Sequence, residues 1–241
     1  MNHALDHVVI VVGDLAAASE KYRGLGFDVR PGGRHEGMGT GNALIGLRDG
    51  TYLELFAFLE TSGVEKHPLW PLAQAGGGLA VFWLATDDLD GDLERLKNLG
   101  VNYAPPVEMS RKCPDGALLR FRLATPIGHD WNTFPCLIQD ITSHAKRAPD
   151  SGAATNGISG IRSLDIATGD LDRAGRVFSA LSGRVLNKAP SHMTFGFEDH
   201  RVVLHNAVRK SGLISITLVG PTSRALTVAE TMGATILLSP D

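Results

Sequence analysis

The chain repeats one pattern of apolar and polar positions four times. In each copy a short apolar run ends at a small polar step, and an amphipathic stretch of about three helical turns follows. The copies cover residues 7–27, 79–101, 163–184 and 214–235. A pattern repeated at nearly constant length predicts duplicated structural modules, each of which buries its apolar face on a neighbour.

The ends of the repeated stretch carry helix-boundary residues. Aspartate follows the apolar run in three copies, at Asp14, Asp88 and Asp170, and Pro221 takes its place in the degraded fourth copy. A glycine follows 12 or 13 residues later in every copy. Aspartate is a favoured helix N-cap and glycine a favoured C-cap, so each pair is expected to bracket one helix.

Apolar runs between turn residues predict the strands of each module. In the first module they predict strands at 5–12, 43–47 and 51–59, with the glycine-rich segment 31–42 as a loop. The second module has predicted strands at 79–85, 101–104, 117–124 and 134–141, and a helix over 89–99. The third has predicted strands at 161–167, 193–197 and 201–206, and the fourth a strand, a helix and a strand. The predicted order of a complete module is therefore βαβββ.

Segment 144–160 is polar and rich in glycine, serine and alanine, which is typical of a linker. We therefore predict a main domain of two modules over residues 5–143. A second, incomplete unit is predicted over 161–241.

Composition narrows the function classes. The chain has 241 residues, 43% hydrophobic and 20% charged, which suits a globular protein with a sizeable core. The net charge of -3 argues against a nucleic-acid partner. No apolar run approaches the roughly 20 residues that span a bilayer, and no secretory segment precedes Leu5, so a cytoplasmic protein without a membrane partner is expected. The two cysteines, Cys113 and Cys136, are too few for a disulfide framework or a zinc cluster.

Three strings carry a family resemblance. The opening LDHVVIVVGDL and the pair GGRHEGMGTGNALIGL and TYLELFAF resemble the glyoxalase-like domain family of the vicinal oxygen chelate superfamily. The resemblance covers about residues 5–141 well and 158–241 only as a weaker repeat. It implies an α+β fold of tandem βαβββ modules that form curled mixed sheets, with a third module and a truncated fourth.

The resemblance also implies a divalent metal ion, such as Zn²⁺, Ni²⁺, Mn²⁺ or Fe²⁺, held by residues of the first and last strands of each module. In this sequence the matching positions are His7 and Glu54. Strand alternation places each on one face, and a carboxylate in an apolar strand is costly unless it is paired or metal-bound. The alternatives are a core histidine bonded to backbone, and a buried Glu54 paired with a neighbouring Arg or His.

The second half departs from that ligand pattern. Counting from the capping aspartates makes Val81 the second-module residue equivalent to His7. The residue equivalent to Glu54 is Ile138 or Gln139. The third module offers Ser163 and about Leu204. Either His35 and water complete the site, or no stable metal is bound.

The glycine-rich segment adds candidate polar groups. His35 there is a candidate third ligand or general base, because imidazole titrates near neutrality. Thr40 and Asn42 are candidate hydrogen-bond donors to a bound oxygen, or they simply cap the turn.

Further candidates lie in the second module. Arg120 and Arg122 share one face of a strand, which suits an anionic substrate if that face lines the site and is unremarkable if it faces solvent. Trp83 is a candidate wall of an apolar pocket or a core residue, and His129 with Asp130 is a reserve ligand source. His200 and His205 are predicted to be turn and edge-strand residues without a functional role.

The favoured hypothesis is a metal-dependent lyase or isomerase acting on a small oxygen-bearing substrate, with an anionic substrate as one option; an extradiol dioxygenase fits less well. The first alternative is a metal-free binding protein that sequesters a small molecule. The second is a scaffold whose third and fourth modules mediate dimerisation, and a homodimer is left open. Fold alone does not choose among these.

Overall fold

The computed structural model describes residues 3–35, 37–112, 118–128, 131–142, 149–152, 154–182, 184–207 and 211–240. The helices are α1 Leu15–Gly24, α2 Trp70–Gln74, α3 Leu89–Asn98 and α4 Leu171–Ser182. The strands of the first two modules are β1 Ala4–Val11, β2 Arg30–His35, β3 Thr40–Gly46, β4 Tyr52–Phe58, β5 Gly78–Ala85, β6 Val107–Lys112, β7 Leu118–Ala124 and β8 Cys136–Asp140. The remaining strands are β9 Gly160–Thr168, β10 Val185–Lys188, β11 His192–Phe197, β12 His200–Asn206, β13 Gly212–Val219, β14 Arg224–Leu226 and β15 Ile236–Ser239.

The βαβββ order holds in the first three modules and confirms the α+β fold class. Within each of these modules the first and last strands pair in parallel and the others pair antiparallel. Asp14 caps α1 by accepting from the Ala17 N–H at 2.9 Å, and Asp170 caps α4 in the same way from Arg173. The repeated aspartates are thus helix caps, as the sequence predicted.

The structure corrects three predicted elements. The glycine-rich segment is not a loop, because β2 and β3 pair there as a hairpin. Residues 101–104 contain an isolated bridge from Tyr103 to Pro126, and the strand of that module begins instead at Val107. The fourth module has no helix: the predicted stretch forms β14 and a turn that ends at Met232 and Gly233, both with positive φ. Arg224–Leu226 pairs antiparallel with β15, which takes the middle of the predicted helix into the sheet.

The contacts divide the chain into two compact units. The first, called the 1+4 unit, comprises His7–Ala80, Ala148–Arg162 and Ser215–Asp241. The second, called the 2+3 unit, comprises Met1–Asp6, Val81–Arg147 and Ser163–Ile214. This grouping differs from the predicted division at residues 144–160, which follows chain order. That division into separate folding domains stays a prediction.

In the 1+4 unit the strand orders are β2-β3-β4-β1 and β13-β15-β14. The buried Tyr22 of α1 donates its hydroxyl to the Thr231 carbonyl at 3.1 Å, which ties the first module to the fourth. Burial raises the pKa of Tyr22, so this hydroxyl keeps its proton.

Gly77, just before β5, shows why glycine is required in the run 76–78. Its φ is 84°, and a Cβ there would lie 2.3 Å from the Val11 carbonyl oxygen. Such an approach is possible only without a side chain. The run therefore allows the chain to pass closely over the end of β1.

In the 2+3 unit the strand orders are β5-β8-β7-β6 and β10-β11-β12-β9. Its core is aromatic: the fully buried Phe178 of α4 contacts the rings of Phe82, Phe134, Phe195 and Phe197 at centroid distances of 5.8 to 6.4 Å. Rings at these separations stabilise beyond the area that they bury.

A buried polar network fixes the N-terminal residues in the same unit. His3 Nε2 lies 2.7 Å from Asp92 Oδ2, and Asp92 also accepts from Thr86 and Arg95. Burial alone would raise the pKa of Asp92, but the hydrogen bonds and charge of His3, Thr86 and Arg95 outweigh it and lower the pKa. The carboxylate is thus held ionised in the interior.

None of the described helices is long and apolar enough to span a membrane. Cys136 is buried, and burial raises its pKa, so its thiol stays protonated. Cys113 lies outside the described residues.

Candidate functional site

The first module brings His7 and Glu54 together. They lie on the parallel neighbours β1 and β4, where His7 is opposite Tyr52 and Val9 is opposite Glu54. Their side chains point to the same face, with His7 Nε2 3.4 Å from Glu54 Oε2 and exposed fractions of 6% and 13%. A nearly buried carboxylate and imidazole in contact form the centre of the candidate site, which belongs entirely to the 1+4 unit.

Neighbouring side chains fix the orientation of the pair. The Tyr52 ring stacks on the His7 ring at 4.4 Å with an angle of 10° between the planes. Asn42 on β3 donates Nδ2–H to Glu54 Oε1 at 2.8 Å. Each carboxylate oxygen therefore has its own partner, which holds the group in one rotamer.

The environment of Glu54 keeps it ionised. Burial by itself raises the pKa of this carboxyl, but the hydrogen bond and charge of His7, the hydrogen bond of Asn42 and the charge of His35 together lower it below its usual value. Glu54 is therefore a carboxylate at neutral pH.

His35 sits at the end of β2, opposite Thr40. Its Nδ1 lies 2.8 Å from the Thr40 hydroxyl, and its ring stacks on Phe56 at 5.8 Å. Thr40 is buried. Thr40 and Asn42 thus hold site side chains in this structure, and the predicted contact of either with substrate stays a prediction.

Aromatic residues extend the site along β4. Phe56 and Phe58 follow Glu54 on the same face, and His67 lies beside both rings at 5.6 and 5.2 Å. Trp70, which begins α2, meets Phe58 edge-on at 5.0 Å. We call Phe56, Phe58, His67 and Trp70 the aromatic cluster. An open cavity of about 790 Å³ is lined by Asn42 and Phe58 together with the start of α1.

Sequence reasoning missed His67. Its Nδ1 accepts the Leu69 N–H at 3.2 Å, so the neutral ring carries its proton on Nε2. Burial lowers its pKa, and the charge of His35 lowers it further. The sequence feature that could have pointed to His67 is the string HPLW, which places a histidine and a tryptophan close together in the connection between the first two modules.

The two arginines predicted to bind substrate are engaged elsewhere. Arg122 makes two 2.8 Å hydrogen bonds to Asp90 at the start of α3, and Arg120 makes bonds of 2.8 and 2.6 Å to Glu108. These pairs lie in the 2+3 unit and give the predicted role no support. Trp83 is half-buried on β5 of that unit, and its role as a pocket wall also stays a prediction.

The strand register corrects the counterparts of Glu54. In the first module Val9 stands opposite Glu54, and in the second module Trp83 stands opposite Cys136. The residue equivalent to Glu54 is therefore Cys136, and not Ile138 or Gln139 as predicted.

The third module needs the same correction. There Asp165 stands opposite Val203, which replaces Leu204 as the counterpart of Glu54. The register of a parallel pair is set in three dimensions, because the two strands are far apart in sequence.

The donor set falls short of a complete metal site. No group of three or more His, Cys, Asp or Glu side chains among the described residues is placed to hold a metal ion. His129 and Asp130, the predicted reserve ligands, lie outside those residues.

The glyoxalase-like domain family matches residues 5–182, which is most of the chain. The chain belongs to this family, within the vicinal oxygen chelate superfamily. No curated protein matches it.

Solved structures with TM-scores above 0.5 show the same fold at low identity. A hypothetical protein from Staphylococcus aureus is 16% identical with a TM-score of 0.79, and the match covers 99% of both chains. A triple mutant of 4-hydroxymandelate synthase from Streptomyces coelicolor is 11% identical with a TM-score of 0.58, covering 92% of this chain and 72% of that one. Methylmalonyl-CoA epimerase from Mycobacterium tuberculosis is 24% identical with a TM-score of 0.40, covering 57% and 86%.

Proposed function

We propose that this glyoxalase-like protein is an enzyme of the lyase or isomerase class that moves a proton on a small oxygen-bearing substrate. The observation that carries the proposal is the ionised Glu54, nearly buried, oriented by Asn42 and in contact with His7. A fixed carboxylate with an imidazole beside it is an acid–base pair suited to proton transfer.

The lowered pKa of Glu54 limits the substrate. A weakly basic carboxylate removes a proton only from carbon that neighbouring groups have already made acidic, such as carbon beside a carbonyl and a second oxygen. The proton would pass to Glu54 while the electron pair moves to the carbonyl oxygen. Returning the proton to the former carbonyl carbon, while the proton of the neighbouring hydroxyl moves to the former carbonyl oxygen, completes an isomerisation.

The developing negative oxygen needs a hydrogen-bond donor. His67, neutral and protonated on Nε2, is one donor on the aromatic side of Glu54. His35 is the second in the tautomer in which Nδ1 accepts the Thr40 hydroxyl proton and Nε2 carries the ring proton. We therefore assign Glu54 the role of base and the two imidazoles the role of polarising groups.

The proposal includes no step on the predicted divalent metal. His7 and Glu54 would supply one imidazole and one carboxylate, which is two ligands where a protein-held ion usually has three or more. A bound ion would polarise the substrate carbonyl. Two protein ligands do not fit a stably held ion, so the proton transfer is assigned to the side chains.

Solvent exchange tests this proposal. The protein, dialysed against chelator, is incubated in D₂O with hydroxyacetone, dihydroxyacetone or lactaldehyde, and loss of the carbon-bound proton signal is followed by NMR. Parallel samples receive Zn²⁺, Ni²⁺, Mn²⁺ or Fe²⁺. We expect exchange that Glu54→Gln abolishes. Glu60→Gln is the matched control, because Glu60 is exposed and its ion pair among the described residues is with the exposed Arg34. Wild-type exchange no faster than the protein-free rate, with and without the ions, overturns the proposal.

The aromatic cluster favours one alternative, a binding protein that sequesters an aromatic or cationic molecule. Half-buried Phe58, His67 and Trp70 offer ring faces and edges that attract such ligands. Tight binding of an aromatic ammonium probe that is lost in Trp70→Leu, retained in Glu54→Gln and unaccompanied by proton exchange would select this alternative.

A further inference from the structure

The third module carries a second acid–imidazole pair. His205 on β12 places Nε2 2.6 Å from Asp165 Oδ1 on the adjacent parallel strand β9. Both residues belong to the 2+3 unit, and their side chains are 39% and 22% exposed. β12 lies between β11 and β9, so His205 is not the edge-strand residue that the sequence predicted.

The pair has the same cross-strand geometry as His7 and Glu54. In the first module His7 contacts the residue two places beyond its register partner Tyr52. In the third, Asp165 contacts the residue two places beyond its register partner Val203. The third-module pair is shifted by two residues along the strands, and the acid and the imidazole have exchanged strands.

Asp165 fixes the hydrogen-bonding role of the imidazole. An ionised carboxylate accepts the Nε2–H, which leaves a lone pair on Nδ1 of neutral His205. The His205 imidazole has no other hydrogen-bond partner among the described residues. Nδ1 therefore suits a ligand group that donates a hydrogen bond, such as a hydroxyl.

A cation lies on the same face. Arg201 alternates with Val203 and His205 along β12, is exposed, and has no ion pair within the described part of the chain. Four strand residues put the Cα atoms of Arg201 and His205 about 13 Å apart. The long arginine side chain spans about half of that distance, which leaves room for a ligand of a few carbon atoms.

The rest of the face is compatible with a bound polar ligand. His192 stands opposite His205 on β11, with ring centres 6.5 Å apart. Its Nε2 is held by Asn187 at 3.1 Å and its Nδ1 lies 3.3 Å from Ser191 Oγ. His192 is thus an oriented wall beside His205.

We propose that this face of the third module is a second ligand site, distinct from that of His7 and Glu54, and that it binds a short-chain hydroxy acid. The hydroxyl donates to His205 Nδ1, and the carboxylate pairs with Arg201. Asp165 acts as a positioning residue through His205.

The test uses the full chain labelled with ¹⁵N-histidine and titrated with 4-hydroxybutyrate, with butyrate as the matched probe that lacks the hydroxyl. The His205 imidazole signals, assigned from His205→Gln, are expected to shift with 4-hydroxybutyrate. Butyrate is expected to bind at least about tenfold more weakly, as is 4-hydroxybutyrate to Arg201→Gln, because each loses a hydrogen bond or charge contact. Asp165→Asn should weaken binding and also change the Nδ1 and Nε2 shifts of free His205, which reports its tautomer.

Glu54→Gln separates the two sites and should leave the His205 titration unchanged. His205 signals that do not move in the wild type overturn the proposal. Equal responses to the two probes overturn it too, as does a response that disappears in Glu54→Gln. Arg201 is exposed, so Arg201→Gln keeps the test valid if a substitution at His205 or Asp165 disturbs folding. Failure of proton exchange in the earlier experiment does not bear on this outcome.

Discussion

Glu54 and His7 meet across two parallel strands, with Oε2 3.4 Å from Nε2, and Asn42 holds the other carboxylate oxygen. The contact exists because β1 and β4 pair directly, although most of a module separates them in sequence. It places a charged acid where only its partners keep it ionised, and this dependence can be measured.

Asn42→Ala is expected to raise the pKa of Glu54, because the substitution removes one of the hydrogen bonds that lower it. For a carboxyl with a lowered folded pKa, the stabilising contribution is complete above the unfolded pKa and is lost as the pH falls through the folded pKa. The acid edge of the Glu54 titration, followed by ¹³C NMR of labelled glutamate, should therefore move to higher pH. Asn102→Ala, at an exposed position, is the control. An unchanged Glu54 titration in Asn42→Ala would contradict the assigned hydrogen bond.

Asp92→Asn should destabilise the protein by about 3 kcal/mol at neutral pH, because it removes the buried negative charge and leaves one acceptor oxygen where His3, Thr86 and Arg95 now share two. The folded pKa of Asp92 is lowered, so its contribution is present above the ordinary aspartate value of about 3.9 and lost below it. Denaturant unfolding at several pH values should show the wild type and the variant converging in acid. Asp90→Asn removes an exposed ion pair with Arg122 and should change little. Equal losses of unfolding free energy in the two variants would show that the buried network contributes no more to stability than the exposed ion pair.

His67→Gln should remove part of the pH dependence of stability near neutrality. The lowered pKa of His67 means that the unfolded chain binds the proton more tightly. The wild type is therefore fully stabilised above the unfolded value of about 6.5 and loses this contribution as the pH falls. Thermal unfolding between mildly alkaline and mildly acidic buffers should show a smaller drop in the variant. His192→Gln is the control, since it lies in the other unit. Identical pH slopes for His67→Gln and wild type would refute the expectation.

Gly77→Ala should cost roughly 3 kcal/mol, because a positive φ and a clash with the Val11 carbonyl add together. Gly50→Ala provides the comparison: Gly50 also has a positive φ, of 86°, but open space around it. That variant should cost only about 1 kcal/mol. Chemical denaturation of both separates the steric effect from the backbone effect, and similar losses would argue against the close approach.

The modular order was predictable because local physics sets it. Alternating apolar residues, capping aspartates and terminal glycines act within a few residues, so β1, α1, β4 and α4 all follow from nearby sequence. The fourth module shows the limit of the same reasoning. Its sequence repeats the helix pattern weakly, but Arg224–Leu226 pairs with β15 and the residues after it form a turn instead.

The candidate site was only half predictable. His7, Glu54, His35, Thr40 and Asn42 were identified from strings and alternation, and the structure joins them through direct contacts in one unit. His67 was not singled out from the sequence, because it comes from the connection after β4, where it lies beside Phe56 and Phe58. Arg120 and Arg122 were assigned to substrate, but ion pairs with Glu108 and Asp90 engage them. Which face of a strand meets which helix is not encoded by alternation alone.

The sequence by itself determined the repeated βαβββ plan and the family, because caps, turns and apolar periods are local signals. The tertiary structure decided how strands distant in the chain pair, and hence that Cys136 and Val203, rather than the residues counted from the caps, occupy the positions equivalent to Glu54. It also created the contact of Asp165 with His205, which no local sequence pattern predicts. Parallel pairing joins residues whose separation in the sequence carries no periodic signal, so only packing of the whole chain sets its register.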